Sequence, residues 1–288
     1  MEYIALSVLF NTILFVIFKF FNKYDIDIFT ALVANYITAF FVGYSINYQV
    51  FSFEETLEKP WLLGAFLLGF LFISVFYVTA ITSQRNGLSV ASVSSKMSVI
   101  IPIIFGVILY QDSMGIYKVI GIFLALLAVY LTTKKDTAEE SKGNLIFPIL
   151  LFFGAGFIDT SIKLFQNNYV APADISLFSS ITFLMAFIAG IIIIIARLFF
   201  NPIKIVGKNI FAGVILGIPN YFSLYYLVKM LDSKVFDSST IFTIHNVIIV
   251  IFSTLLGVFL FNENINKRNF LGILIAISAI VLVTIKSE

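Results

Sequence analysis

Apolar residues in this chain do not alternate with polar ones; they run on without a break. Five such runs lie near Tyr3–Phe21, Phe29–Tyr48, Trp61–Thr82, Ser89–Tyr110 and Ile116–Thr133. Five more follow near Leu145–Phe165, Ile175–Leu198, Ile210–Met230, Ser238–Phe261 and Asn269–Ile285. At about 1.5 Å per residue, each is long enough to cross a hydrocarbon core of about 30 Å as a helix. Backbone groups in lipid must bond within the protein, which leaves helices or closed barrels, and a barrel would read as alternating segments of about ten residues. The pattern therefore predicts an all-α polytopic membrane protein with ten transmembrane helices. Met1–Phe10 carries neither a basic leader nor a small-residue cleavage site, so the first run is expected to be a span. Pro102, Pro148 and Pro219 fall inside or at the edge of runs, where they are expected to kink or unwind a helix, Pro219 interrupting the eighth.

The runs divide into two sets of five. The most polar connection spans Lys134 to Gly143, close to the middle, and predicts a first five-helix repeat over 1–136, a linker over 137–143 and a second repeat over 144–288. A shift of 151 positions lays Gly106 on Gly257, Asp112 on Glu263 and Gly121 on Gly272. Because five is odd, duplicated halves insert upside down relative to one another, giving two inverted repeats. Basic residues number eleven on the connections after the odd-numbered runs and six on the terminal side, with Lys96 left inside. That bias places the odd connections in the cytoplasm and both termini outside.

Composition narrows the functions available. The chain is 60% hydrophobic and 12% charged, with mean hydropathy +1.04, so little of it is built to face water. It has no cysteine and one histidine, which removes disulfides, thiolate metal sites and Cys nucleophiles and leaves no expected metal or other cofactor. A net charge of +2 offers no nucleic-acid footprint. Expected partners are a small-molecule substrate, the bilayer and protons as a coupling ion, with the chain a monomer or homodimer.

The segment from Gly87-Leu88-Ser89-Val90-Ala91-Ser92 through Pro102, Gly106 and Asp112 to Gly121, matched by Gly257, Glu263 and Gly272, resembles the drug/metabolite transporter superfamily. Within it, the pattern is similar to the ten-helix EamA-type branch. The sequence departs from that pattern with aspartate at 112, where glutamate is commoner, and Ser253 in place of a proline. The resemblance implies two inverted repeats around a central cavity lined mainly by helices 1, 3, 4, 6, 8 and 9. It also implies movement of metabolites, amino acids or drugs across the bacterial inner membrane, and termini in the cytoplasm, opposite to the charge count.

Polar side chains within the runs are the candidate substrate-binding residues. Lys96 lies about seven residues into the fourth run, roughly 10 Å deep, where a lysine costs several kcal/mol unless it meets a cavity or a partner. It suits the carboxylate or phosphate of a substrate; the bland alternative is snorkelling or a structural bridge. Asp159 follows Gly154-Ala155-Gly156 in the sixth run, beside Thr160 and Ser161. It suits proton or substrate binding, or pairing with Lys163 four residues on. His245 and Asn246 sit in the ninth run, where an imidazole serves as a proton relay or as a buried structural group. Asn220 and Tyr225 beside Pro219, Tyr77 in the third run and Asn11 in the first complete the set; interhelical hydrogen bonding accounts for Asn11 and for Asn35 equally well. Lys19, Lys163 and Lys229 read as snorkelling residues, and Asp112 and Glu263 as caps of the helices that follow them.

The leading expectation is a secondary transporter that moves an anionic or zwitterionic metabolite by alternating access, with proton-coupled export. No P-loop motif is present, so ATP is not the direct energy source. No paired catalytic constellation stands out, so the chain is read as a non-enzyme. The alternatives are an intramembrane lipid-handling enzyme and a non-transporting membrane subunit.

Overall fold

A computed structural model describes residues 2–47, 52–102, 104–105, 115–133, 145–198, 206–232 and 238–284. The helices are α1 (Glu2–Lys23), α2 (Ile28–Asn47), the short α3 (Phe53–Leu57), α4 (Leu62–Asn86), α5 (Leu88–Met97) and α6 (Ile116–Thr133). After the central connection come α7 (Ile146–Asn168), a 3-10 turn (Pro172–Asp174), α8 (Ile175–Leu198), α9 (Gly207–Asp232), α10 (Ser238–Phe261) and α11 (Lys267–Thr284). No strand occurs among the described residues. Among the described residues the apolar runs lie mostly in helix, because lipid offers the backbone no other partner than itself. Six helical stretches, corresponding to α1, α2, α4, α7, α8 and α9, are long and apolar enough to cross a membrane. Their outward faces carry bare apolar side chains such as Leu63, Phe211 and Phe153. Asp112, Gly106 and the linker 137–143 lie outside the described residues.

The chain forms two compact units, and each draws on both halves of the sequence. The first comprises residues 1–77 and 161–233, the second 78–160 and 234–288, so that α4 and α7 each contribute a segment to both. These units follow packing and do not divide the chain at the polar connection near its middle.

In the first unit α9 packs on α1 and α2, and α2 packs on α8. Glycines make the closest approach: a Cβ on Gly217 would stand 2.6 Å from the Asn35 carbonyl oxygen, and one on Gly213 would strike that of Ala31. Small residues let transmembrane backbones come this near. The expected interruption at Pro219 does not occur. α9 runs through it unbroken, with Pro219 buried, because packing against α2 holds the turn that has lost a backbone hydrogen bond. In the second unit α11 lies along α6, and α10 packs on α5. Val93, Met97, Ile101, Ala128, Phe152, Val250 and Ala276 are among the buried residues of its core. Here proline acts as expected: α5 ends at Met97 and a turn at Ser98–Val99 precedes Pro102, whose ring excludes the helical carbonyl four residues back.

Candidate functional site

α5 is short and sits almost wholly inside the protein. Leu88 through Ser94 and Met97 are buried, leaving only Ser95 and Lys96 partly accessible. Lys96 is therefore half-buried on a helix whose other residues are almost all buried. Asp159, on α7, is also half-buried and belongs to the same unit. Among the described residues neither has a salt-bridge partner or a hydrogen bond. His245 stands on α10, which packs on α5. His245 is 2% exposed, and its Nδ1 lies 3.4 Å from Asn246 Oδ1. Asn246 is equally buried, and its Nδ2 has no partner among the described residues; nor has Ser94 Oγ. An ammonium, a carboxylate, an imidazole and an amide thus belong to the second unit.

The N-terminus of α5 is anchored from far along the chain. Glu263, in the turn between α10 and α11, accepts a 2.7 Å hydrogen bond from the Leu88 amide and longer ones of 3.5 Å from the Ser89 amide and hydroxyl. The carboxylate also lies against Gly87, whose φ of +104° is open to glycine at little cost, and against Gly257. A negative group at the positive end of a helix is favourable. The expectation that Glu263 caps the helix after it is corrected: its carboxylate holds α5, and α11 starts on Asn266, whose side chain accepts from the Asn269 amide at 2.7 Å. Local sequence favours the next helix as the partner; only the close packing at Gly257 shows the real one.

The remaining candidates belong to the first unit. Asn220 is 1% exposed and donates through Nδ2 to Asn35 Oδ1 at 3.0 Å, joining α9 to α2. Asn11 donates to the Ser7 carbonyl within α1 at 3.1 Å. Tyr225 stacks on Tyr221 at 5.7 Å, and the Lys229 ammonium lies 5.2 Å from its ring and 5.6 Å from that of Tyr3. Lys229 is thus held by aromatic faces at a helix end, an arrangement that stabilises a cation. Tyr77 lines a cavity of about 620 Å³ together with Asp25, Asp27, Thr30, Lys208 and Asn209. Sequence reasoning missed that group. Asp27 ahead of an apolar run is a readable helix cap, and its Oδ2 does accept from the Thr30 amide at 2.7 Å. Its approach to Asn209, 182 residues away, has no local signal. Among the described residues no cluster of three His, Cys, Asp or Glu is placed to hold a metal.

No protein-family model matches the chain. An uncharacterised protein of Haemophilus influenzae is 25% identical over 288 residues, 97% of this chain and 96% of that protein. The glucose uptake protein GlcU of Staphylococcus xylosus is 28% identical over 179 residues, 62% of this chain and 58% of its own. A solved crystal structure superposes with a TM-score of 0.60 at 13% identity, covering 96% of each chain, which is a likeness of fold alone. The partial similarity and the six apolar helices point to a membrane transporter. Several apolar helices make it multi-pass.

Proposed function

We propose that this chain is a secondary transporter of the EamA type in the inner membrane, with ten spans in two inverted repeats, 1–136 and 144–288. It moves a small zwitterionic solute by alternating access, and the coupling is proton-linked export. One observation carries the reading of the substrate: Lys96 and Asp159 are opposite charges inside apolar helices of one unit, and among the described residues no salt bridge joins them. Each buried charge costs several kcal/mol unless something compensates it. A solute with a carboxylate and an ammonium supplies both counter-charges at once, the carboxylate to Lys96 and the ammonium to Asp159. A simple anion would meet Asp159 as well as Lys96, which makes it the poorer fit. Asn246 Nδ2 and Ser94 Oγ offer further hydrogen bonds.

The test is a thermal-shift screen of amino acids on purified protein, followed by proteoliposome flux for the hits. Lys96→Ala is expected to weaken binding of a zwitterionic hit by about 10- to 150-fold, the range for one charge-assisted hydrogen bond. Unchanged affinity and flux in that variant would sink the reading. Asp159 and His245 are the proton-handling pair in this scheme, and flux indifferent to an imposed pH gradient would remove the coupling. A second reading, uptake of a neutral sugar, is favoured by the similarity to the glucose uptake protein. Counterflow of D-glucose against alanine separates the two.

A further inference from the structure

The cavity beside the α1–α2 turn belongs to the first unit, and its chemistry differs from that of the charged residues on α5 and α7. It is a wide-mouthed pocket of about 620 Å³, within the range of about 300–1,000 Å³ typical of small-molecule sites, and polar and apolar groups share its wall. Asp25, Asp27 and Thr30 come from the turn and the start of α2, Tyr77 from α4, and Lys208 and Asn209 from the start of α9.

Asn209 is the informative residue. It is 3% exposed, and its Oδ1 accepts from the Asp27 amide at 3.2 Å, which fixes the orientation of the side-chain amide. Its Nδ2 makes no hydrogen bond among the described residues, and Asn209 forms part of the cavity wall. Asp27 is fixed in turn: Oδ2 is engaged by the Thr30 amide, leaving Oδ1 as an acceptor. Lys208 is partly neutralised, 3.6 Å from Asp25 and donating to the Tyr24 carbonyl at 3.3 Å. Tyr77 presents a phenol, and its ring meets Phe29 edge-on at 6.3 Å.

We infer that this cavity is a binding site for a neutral, polyhydroxylated solute of the sugar class. An anion would face two carboxylates, a cation would face Lys208 and the positive end of α9, and a zwitterion would find Lys208 and Asp25 already paired at 3.6 Å. An uncharged ligand whose every hydroxyl both donates and accepts uses the donors Asn209 Nδ2, Tyr77 OH and Lys208 Nζ and the acceptors Asp25 and Asp27 together. Phe29 and Tyr77 give the C–H face of a ring an apolar wall. The site stands independently of the assignment of Lys96 to a substrate.

The experiment is equilibrium binding of labelled D-glucose to the purified full chain, with alanine and inorganic phosphate as competitors. Saturable binding that neither competitor displaces is expected. Asn209→Asp keeps the acceptor and removes the donor; Tyr77→Phe removes one hydroxyl. Each is expected to weaken binding about five- to tenfold, the loss of one hydrogen bond, while Phe259→Ala, at an exposed position of α10, leaves it unchanged. Absence of saturable binding, equal displacement by phosphate or alanine, affinity indifferent to both cavity variants, or an equal loss in Phe259→Ala each overturns the proposal. Intact binding with no flux of any solute in proteoliposomes supports the site and overturns the transport reading instead.

Discussion

Asn35 and Asn220 illustrate how one buried amide is judged by its neighbours. Both are almost fully buried, and their hydrogen bond joins α2 to α9 beside the glycine contacts of Gly213 and Gly217. Asn220→Ala removes that donor and leaves Asn35 Oδ1 without it, so a loss of about 1–3 kcal/mol is expected. The double variant Asn35→Leu with Asn220→Leu is expected to recover much of it, because no polar atom is then stranded. Thermal melting of the detergent-purified chain checks both. From the sequence the two residues were readable as polar groups in apolar runs, one as a cavity group and one as an interhelical tie; that they bond to each other depends on a contact 185 positions apart. Lys96 and Asp159 were legible as buried charges for the opposite reason. A charge inside an apolar run is costly wherever the fold puts it, so its presence alone is a signal.

Helices are where local rules and tertiary packing part company. Pro102 and Pro219 both sit in apolar runs, yet the first follows a broken helix and the second lies in a continuous one. The covalent effect is the same in both, and the difference lies in what packs against the affected turn. α5 depends on a remote residue at its start, since Gly87 has no capping side chain and Glu263 supplies the acceptor. Glu263→Ala is expected to cost about 1–2 kcal/mol, as for loss of a helix cap. Glu263→Gln, which keeps an acceptor but not the charge, is expected to cost less. Gly87→Ala is expected to cost about 1–2 kcal/mol for a side chain in left-handed backbone, and its Cβ would lie 3.2 Å from the Glu263 carboxylate. Melting temperatures rank the three variants. If α5 also positions Lys96, solute affinity will fall in Glu263→Ala in proportion to that loss.

At the scale of the molecule, the apolar faces of the helices predict that the chain stays with the membrane pellet after an alkaline wash; release into the supernatant would contradict a multi-pass protein. The arrangement of basic residues predicts termini outside, so an alkaline phosphatase fused after Glu288 is expected to be active and a fluorescent protein dark. The reverse result would side with the family resemblance. What the sequence by itself determined is the all-helical, lipid-embedded character and the position of its helices, because both follow from how many consecutive residues avoid water. It also exposed Lys96 and Asp159, because ionisable groups in such runs are conspicuous. Only the tertiary structure decided that Glu263 holds α5, that Asn220 meets Asn35, and that Asp27 and Asn209 wall a common cavity. Those relations join residues more than 170 positions apart, and no local periodicity encodes which distant side chain will be near.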